Sequence, residues 1–222
     1  MHTGTGRIVE ILLGDGCRYA RLSCAENLIP PPGQYLAASR GSDSVLPVPI
    51  FYTDSAPQGF IGPAHDSWKP GDVLHLRGPL GRGFSLPLSA RKVGLIAFDD
   101  SPSRLRGLVQ PALKQNASVV MLTNLSTDDL PDEVEVQPLS ALGEILKWAD
   151  FLALDAARDH VKELLERVEK ETRLSTLGDA QLLVRAPMPC SGLAECAACA
   201  LTTQSEWKMI CRDGPVFDLK EF

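Results

Sequence analysis

Four of the chain's six cysteines crowd near its C-terminal end, as Cys190, Cys196, Cys199 and Cys211, with the spacing C-x5-C-x2-C-x11-C. Four thiolates so placed can hold a [2Fe–2S] cluster or a tetrahedral zinc, and either requires the chain to wrap around metal. Zinc ribbons usually pair two CxxC knuckles, and this chain has one. Plant-type [2Fe–2S] proteins use a loop close to C-x4-C-x2-C with a distant fourth cysteine. The residues among the first three cysteines are mostly small: Ser191, Gly192, Ala194, Ala197 and Ala198. Small residues let backbone N–H groups approach the sulfurs. The pattern favours the cluster and leaves zinc open. Reading the four as small core hydrophobes does not explain the crowding. Cys17 and Cys24 have no motif partners and read as core thiols.

Ahead of the cysteines the hydrophobic period changes once. Residues 1–88 read as an antiparallel β-barrel: a hairpin across the Gly14-Asp15-Gly16 turn, a strand after Pro32-Gly33, the β-rich run around Val48-Pro49-Ile50-Phe51, and a strand through Leu74 and Leu76. The prolines suit an edge strand. Residues 89–185 alternate strand and helix, which predicts a Rossmann-like parallel sheet. There Ser101 is the expected cap of a helix opening at Pro102, and Pro111 is expected to kink or divide that helix. Residues 186–222 form the cluster-binding segment.

Composition excludes several functions. The 222 residues carry 22 basic and 28 acidic side chains, a net charge of −6, which argues against nucleic-acid and anionic-membrane partners. No apolar run approaches roughly 18 residues, and the N-terminus lacks a signal-peptide core, so the expectation is a cytoplasmic protein. GxSxG, P-loop and HExxH motifs are absent, the four histidines are scattered, and no catalytic acid or base is assigned.

The loop Cys190–Cys199, the ending Cys211-Arg212-Asp213-Gly214-Pro215-Val216-Phe217, and the barrel segments 32–36 (PGQYL) and 78–84 (GPLGRGF) resemble the electron-transfer subunit of the two-subunit bacterial dihydroorotate dehydrogenase, within the ferredoxin-reductase-like superfamily. The resemblance covers nearly the whole chain in order of elements, and the tail is its specific part. It implies one [2Fe–2S] cluster on the four cysteines, FAD, and a hetero-oligomer with a flavin-containing catalytic subunit. Family members pass electrons between that subunit and NAD. Flavin contacts would fall on Pro49, Ile50, Gly78, Pro79, Leu80 and Gly81; for 78–81 a plain glycine-rich turn between strands is the simpler reading.

The chain departs from the family at the dinucleotide sites. The cysteine loop is one residue longer, a minor change. The flavin strand usually carries Arg-Pro-x-Ser, where this chain has Val48-Pro49-Ile50-Phe51, and the Gly-x-Gly-Thr-like segment after it is missing. Arg40, Arg77 and Arg82 are candidate replacements for the lost charge, against the simpler reading as solvated surface residues. The first strand of the α/β region is followed by Phe98-Asp99-Asp100-Ser101-Pro102. It has no glycine to cradle phosphate, and its two carboxylates suit a helix N-terminus themselves, which disfavours NAD there. The expectation is a cluster relay with FAD binding weakened or lost. Trp207 and Met209 are candidates to shield the cluster, and Arg212, Asp213 and Phe217 to shape its surface. The rivals are a non-enzymatic binding module stapled by zinc, and a degenerate regulatory or scaffold homologue.

Overall fold

The chain was analysed as a computed structural model that describes residues 1–14, 17–41, 46–125, 127 and 130–222. The N-terminal half is all strand: β1 (His2–Gly14), β2 (Cys17–Cys24), β3 (Tyr35–Ser39), β4 (Val48–Phe51), β5 (Asp54–Ala56), β6 (Gly59–Pro63) and β7 (Val73–Leu80). They form one antiparallel sheet in the order β4-β3-β7-β1-β2-β6-β5. β1 and β2 pair as the expected hairpin, Gly14 opposite Cys17; Asp15 and Gly16 of its turn lie outside the described residues.

Alternation decides which side chains fill this half. Leu74 and Leu76 point inward with Ile8, Leu22, Leu36 and Phe60, while Val73 and His75 face solvent. The sheet curls until its edges meet. A Cβ on Gly62 of β6 would collide with Ile50 and with the Phe51 carbonyl of β4, and Thr53 N–H donates to Ile61 C=O at 2.9 Å. β4, with its prolines, is an edge strand as expected.

The second half follows as β8 (Lys92–Ala97), α1 (Ser103–Arg106), α2 (Val109–Lys114), β9 (Ser118–Leu122), β10 (Val134–Gln137), α3 (Leu142–Trp148), β11 (Phe151–Ala157), α4 (Val161–Glu171) and β12 (Asp179–Arg185). The strands run parallel in the order β10-β9-β8-β11-β12. Successive residues of β8 serve opposite faces. Val93 and Leu95 meet Leu105, Val109 and Ala112 of α1 and α2. Ile96 belongs to the opposite face, with Leu142, Ile145, Leu164 and Val168 of α3 and α4.

The helix after β8 breaks earlier than the sequence suggests. The break falls at Gly107–Leu108, not at Pro111. A Cβ on Gly107 would sit 2.7 Å from the Tyr52 ring, so the barrel presses on the chain there. Pro111 lies in the first turn of α2, where its missing N–H needs no partner. The helix also opens one residue later than expected, at Ser103 with Pro102 as its N-cap. Ser101 instead is buried, accepts from Ser103 N–H at 3.3 Å and bonds Tyr19 of β2 at 3.0 Å through its hydroxyl.

The remaining chain supplies β13 (Ala200–Thr202), β14 (Trp207–Met209), α5 (Ile210–Asp213) and β15 (Val216–Asp218). β13 and β14 form a hairpin, and β15 adds antiparallel to β12 at the edge of the central sheet. The cysteine segment is thus tied into the α/β core rather than appended to it. One buried cluster joins Tyr35, Phe51 and Leu80 of the barrel, Leu154 and Leu182 of the sheet, and Cys199, Cys211 and Phe217 of the tail.

Candidate metal centre

The four clustered cysteines come together where the three parts of the fold meet. Cys190 Sγ lies 4.0 Å from Cys211 Sγ. Cys196 bonds the Cys190 sulfur, and Cys199 bonds that of Cys211. The sulfurs therefore run in a row, 196–190–211–199, with Cys199 and Cys211 buried and Cys196 exposed. Among the described residues, no three His, Cys, Asp or Glu side chains close around a point as a one-ion site.

The loop backbone is shaped for anionic sulfur. Ser191, Gly192, Ala194 and Ala197 all take positive φ, of 50°, 87°, 59° and 52°. Left-handed residues turn successive N–H groups toward one side, forming a nest for anions. Burial raises the Cys190 thiol, but the Cys196 hydrogen bond and the N–H groups of Glu195, Cys196 and Ala194 outweigh it and bring it down to about 6. Cys211 N–H points at Cys199 Sγ, 3.4 Å away. Cys211 itself is pushed up to about 12, by burial and then by Cys199. The two close thiols thus carry opposite biases. These donors and sulfurs fit an iron–sulfur cluster.

The barrel holds this loop in place. Tyr35 is wholly buried, and its hydroxyl donates to Cys211 C=O at 2.9 Å. Arg77 of β7 donates to Ser191 C=O. Arg82 N–H donates to Gly214 C=O at 2.5 Å, Val216 N–H returns to Arg82 C=O at 3.3 Å, and Gln34 donates to Gly81 C=O at 2.8 Å. Gly81 has φ +72°, and a Cβ there would meet Gly214 C=O at 2.5 Å. The GPLGRGF turn is therefore a clamp on the tail. Arg77 and Arg82 are likewise not simply solvated: Arg77 binds the cysteine loop and Arg82 pairs with Glu221 at 3.6 Å. Trp207 is 73% exposed and shields nothing, whereas Met209 packs against the core beside the sulfurs. Phe217 is buried, and Arg212 and Asp213 pair with each other at 2.9 Å.

The six residues expected to touch flavin are split by the fold. Pro49 lines a crevice of about 500 Å³ with Arg40, Val48, Trp68, Pro187 and Met188. The Ile50 side chain turns into the barrel core. Gly78, Pro79 and Leu80 close β7, Leu80 packs beside Tyr35, and Gly81 faces the tail. The crevice walls suit a planar apolar ring. Its arginine, Arg40, is already paired with Asp72 at 3.3 Å, so the charge a pyrophosphate needs is engaged within the protein.

The turn after β8 holds a second charged site. Asp99 and Asp100 do not serve the helix α1, which is one turn long; they are met by arginines. Arg185 bonds Asp99, Asp100 at 3.2 Å and Asp155 at 2.7 Å, while Arg104 lies 3.3 Å from both Asp100 and Asp155. His160 also bonds Asp99. Asp155 is buried, and burial holds it up at about 6, with Arg104 pulling it back. Burial likewise lowers Arg185, to about 10. The partners lie far apart in sequence, so no local motif announces the network.

This arrangement of barrel, parallel sheet and cysteine tail is the ferredoxin-reductase-like fold. The chain is similar to the NADH-dependent reduced ferredoxin-NADP oxidoreductase solved in connection with flavin-based electron bifurcation: TM-score 0.76, 15% identity, covering 97% of this chain and 88% of that one. It is also similar to the ferredoxin reductase of carbazole 1,9a-dioxygenase, with TM-score 0.62 and 17% identity, covering 78% of this chain and 64% of that one. The FAD/NAD binding domain of nitric oxide dioxygenase from Vibrio cholerae O1 biovar El Tor matches with TM-score 0.57 and 16% identity over 82% of this chain and 98% of that one. Within that class, residues 188–222 match the family described as the iron-sulfur cluster binding domain of dihydroorotate dehydrogenase B. The resemblance carried by the cysteine loop and the CRDGPVF ending is thereby sustained. No helix is long and apolar enough to cross a membrane among the described residues.

Proposed function

We propose that this chain is the electron-transfer subunit of a cytoplasmic oxidoreductase of dihydroorotate dehydrogenase type, with a [2Fe–2S] cluster held by Cys190, Cys196, Cys199 and Cys211. One observation carries the reading: a segment that matches the iron–sulfur domain of that enzyme brings those four sulfurs into a row lined with backbone donors. An extended row supports a two-iron cluster over a single zinc. The cluster, when bound, supplies one-electron transfer. The chain's own residues fix and screen it. Tyr35 and Arg77 anchor the loop, and Leu80, Met209 and Phe217 keep water from its inner side. Leu193 and Cys196 stay exposed, which gives a protein partner an approach to the loop. That partner would be a flavin-containing catalytic subunit, and no residue here acts as acid or base.

FAD is the weaker part of the proposal. Pro49, Ile50 and residues 78–81 remain its contacts by resemblance, while Arg40 is committed to Asp72. The division into a barrel (1–88), a Rossmann-like region (89–185) and a cluster segment (186–222) belongs to the same proposal. The test is an anaerobic visible spectrum with iron, zinc and released flavin measured on one sample. About two irons per chain and a colour bleached by dithionite are expected. Zinc without colour would support a stapled binding module, and neither metal a scaffold homologue. A catalytic subunit unrelated to dihydroorotate oxidation would move the chain to another oxidoreductase complex.

A further inference from the structure

Open α/β sheets take their ligands in the crevice beyond the carboxyl ends of the strands, where the strand order reverses. Here the reversal lies between β8 and β11. Asp99 and Asp100 lie just past the end of β8, Ala157 closes β11 and Arg185 closes β12. The crevice above them measures about 320 Å³ and is lined by Pro49, Phe51, Arg104, Ala157, Arg185 and Ala186.

The donors that a bound phosphate would use at this point are mostly taken by carboxylates of the chain. Asp100 Oδ1 accepts from Ser101 N–H at 2.7 Å, and Asp99 Oδ2 accepts from Ala157 N–H at 3.0 Å. Arg185 spans Asp99, Asp100 and Asp155, and Arg104 spans Asp100 and Asp155. Phe51 of the barrel stacks under the Arg104 guanidinium at 5.9 Å. Three aspartates against two arginines leave the site with a charge of −1, taking His160 as neutral. An incoming dinucleotide would have to displace ion pairs shielded from water, and it would meet net repulsion. One donor is left over: Arg104 Nε is buried with no hydrogen-bond partner.

We infer that Asp99 and Asp100 are specificity-determining residues that act as a built-in substitute for the phosphates of a pyridine dinucleotide. They engage the arginines that line the switch-point crevice, so that NADH is refused and electrons enter and leave this chain only through proteins. The inference rests on the relay function proposed above for its meaning, but the occlusion stands on geometry alone. Removing the two charges turns the balance to +1 and exposes Arg104 and Arg185 as an anion site.

The experiment has two arms. In the first, the purified protein with its native cofactors is mixed anaerobically with millimolar NADH, with dithionite as the control. Bleaching by dithionite but not by NADH is expected, and reduction by NADH on mixing overturns the inference. In the second, NADH is titrated calorimetrically into wild-type protein and into Asp99→Asn, Asp100→Asn and the double variant. Asparagine keeps the shape and the backbone hydrogen bonds. The double variant should bind at least tenfold more tightly than wild type, with each single variant between them. Equal affinity in all four would sink the idea. Should the double variant fail to fold, the single variants and the first arm still decide. If dithionite bleaches nothing, the relay reading fails, and the titration still tests the crevice by itself.

Discussion

The cysteine loop and the switch-point crevice are both charged and both sited where the barrel meets the central sheet. They differ in what they leave unsatisfied. In the loop, positive-φ residues aim N–H groups at sulfurs that crowd one another, and the thiols are driven apart, to about 6 and about 12. A cation bound among them would relieve that frustration. In the crevice the carboxylates and guanidiniums satisfy each other, and backbone donors are capped by Asp99 and Asp100. A site made to receive a group keeps its donors aimed at the space the group will fill. A site that is closed spends them internally.

The contrast is broken most forcefully by removing a sulfur. Cys199→Ser or Cys211→Ser should lose most of the bound iron, read by metal analysis, because each is buried against the other with no replacement ligand. If either retained full iron and colour, the row of sulfurs would not be the site. The clamp comes next. Gly81→Val places a Cβ against Gly214 C=O in a left-handed backbone, and should cost about 2–4 kcal/mol in chemical denaturation. Gly41→Ala shares the positive φ but meets nothing within 4 Å, so it should cost only about 1 kcal/mol. A smaller loss, about 1–2 kcal/mol, is expected for Tyr35→Phe, which leaves the buried Cys211 carbonyl without its donor.

The gentlest probe is pH. Asp155 is held at about 6 in the fold against an ordinary 3.8, so the folded chain binds this proton more tightly than the unfolded chain does. Its contribution to stability is fully present below 3.8 and is lost as pH rises through about 6. Urea midpoints of wild type and Asp155→Asn should therefore shift in favour of wild type on going from neutral to acid. An unchanged gap would mean that Arg104 and Arg185 keep Asp155 as acidic in the fold as it is in water.

What the sequence made legible follows from range. Alternation in β7 and the β8 strand are local patterns, and each appears where expected. The cysteine spacing is local too, and the four cysteines it singles out come together in the fold. The failures are long-range. The helix breaks at Gly107, where Tyr52, from the barrel, leaves no room for a side chain. Arg77 looked like a surface residue until the fold set it against Ser191. Asp99 and Asp100 looked like helix-end charges because Arg185, their main partner, lies at the end of another strand. Trp207 sits four residues before Cys211, but the hairpin turns it outward.

The strand β15 lies after all four cysteines in the chain, and it pairs with β12, which lies before them. The chain therefore leaves the central sheet at β12 and returns to it at β15, so the cysteine segment is an arch with both feet in one sheet. Loosening the second foot alone would slacken the spacing of the sulfurs without touching any of them.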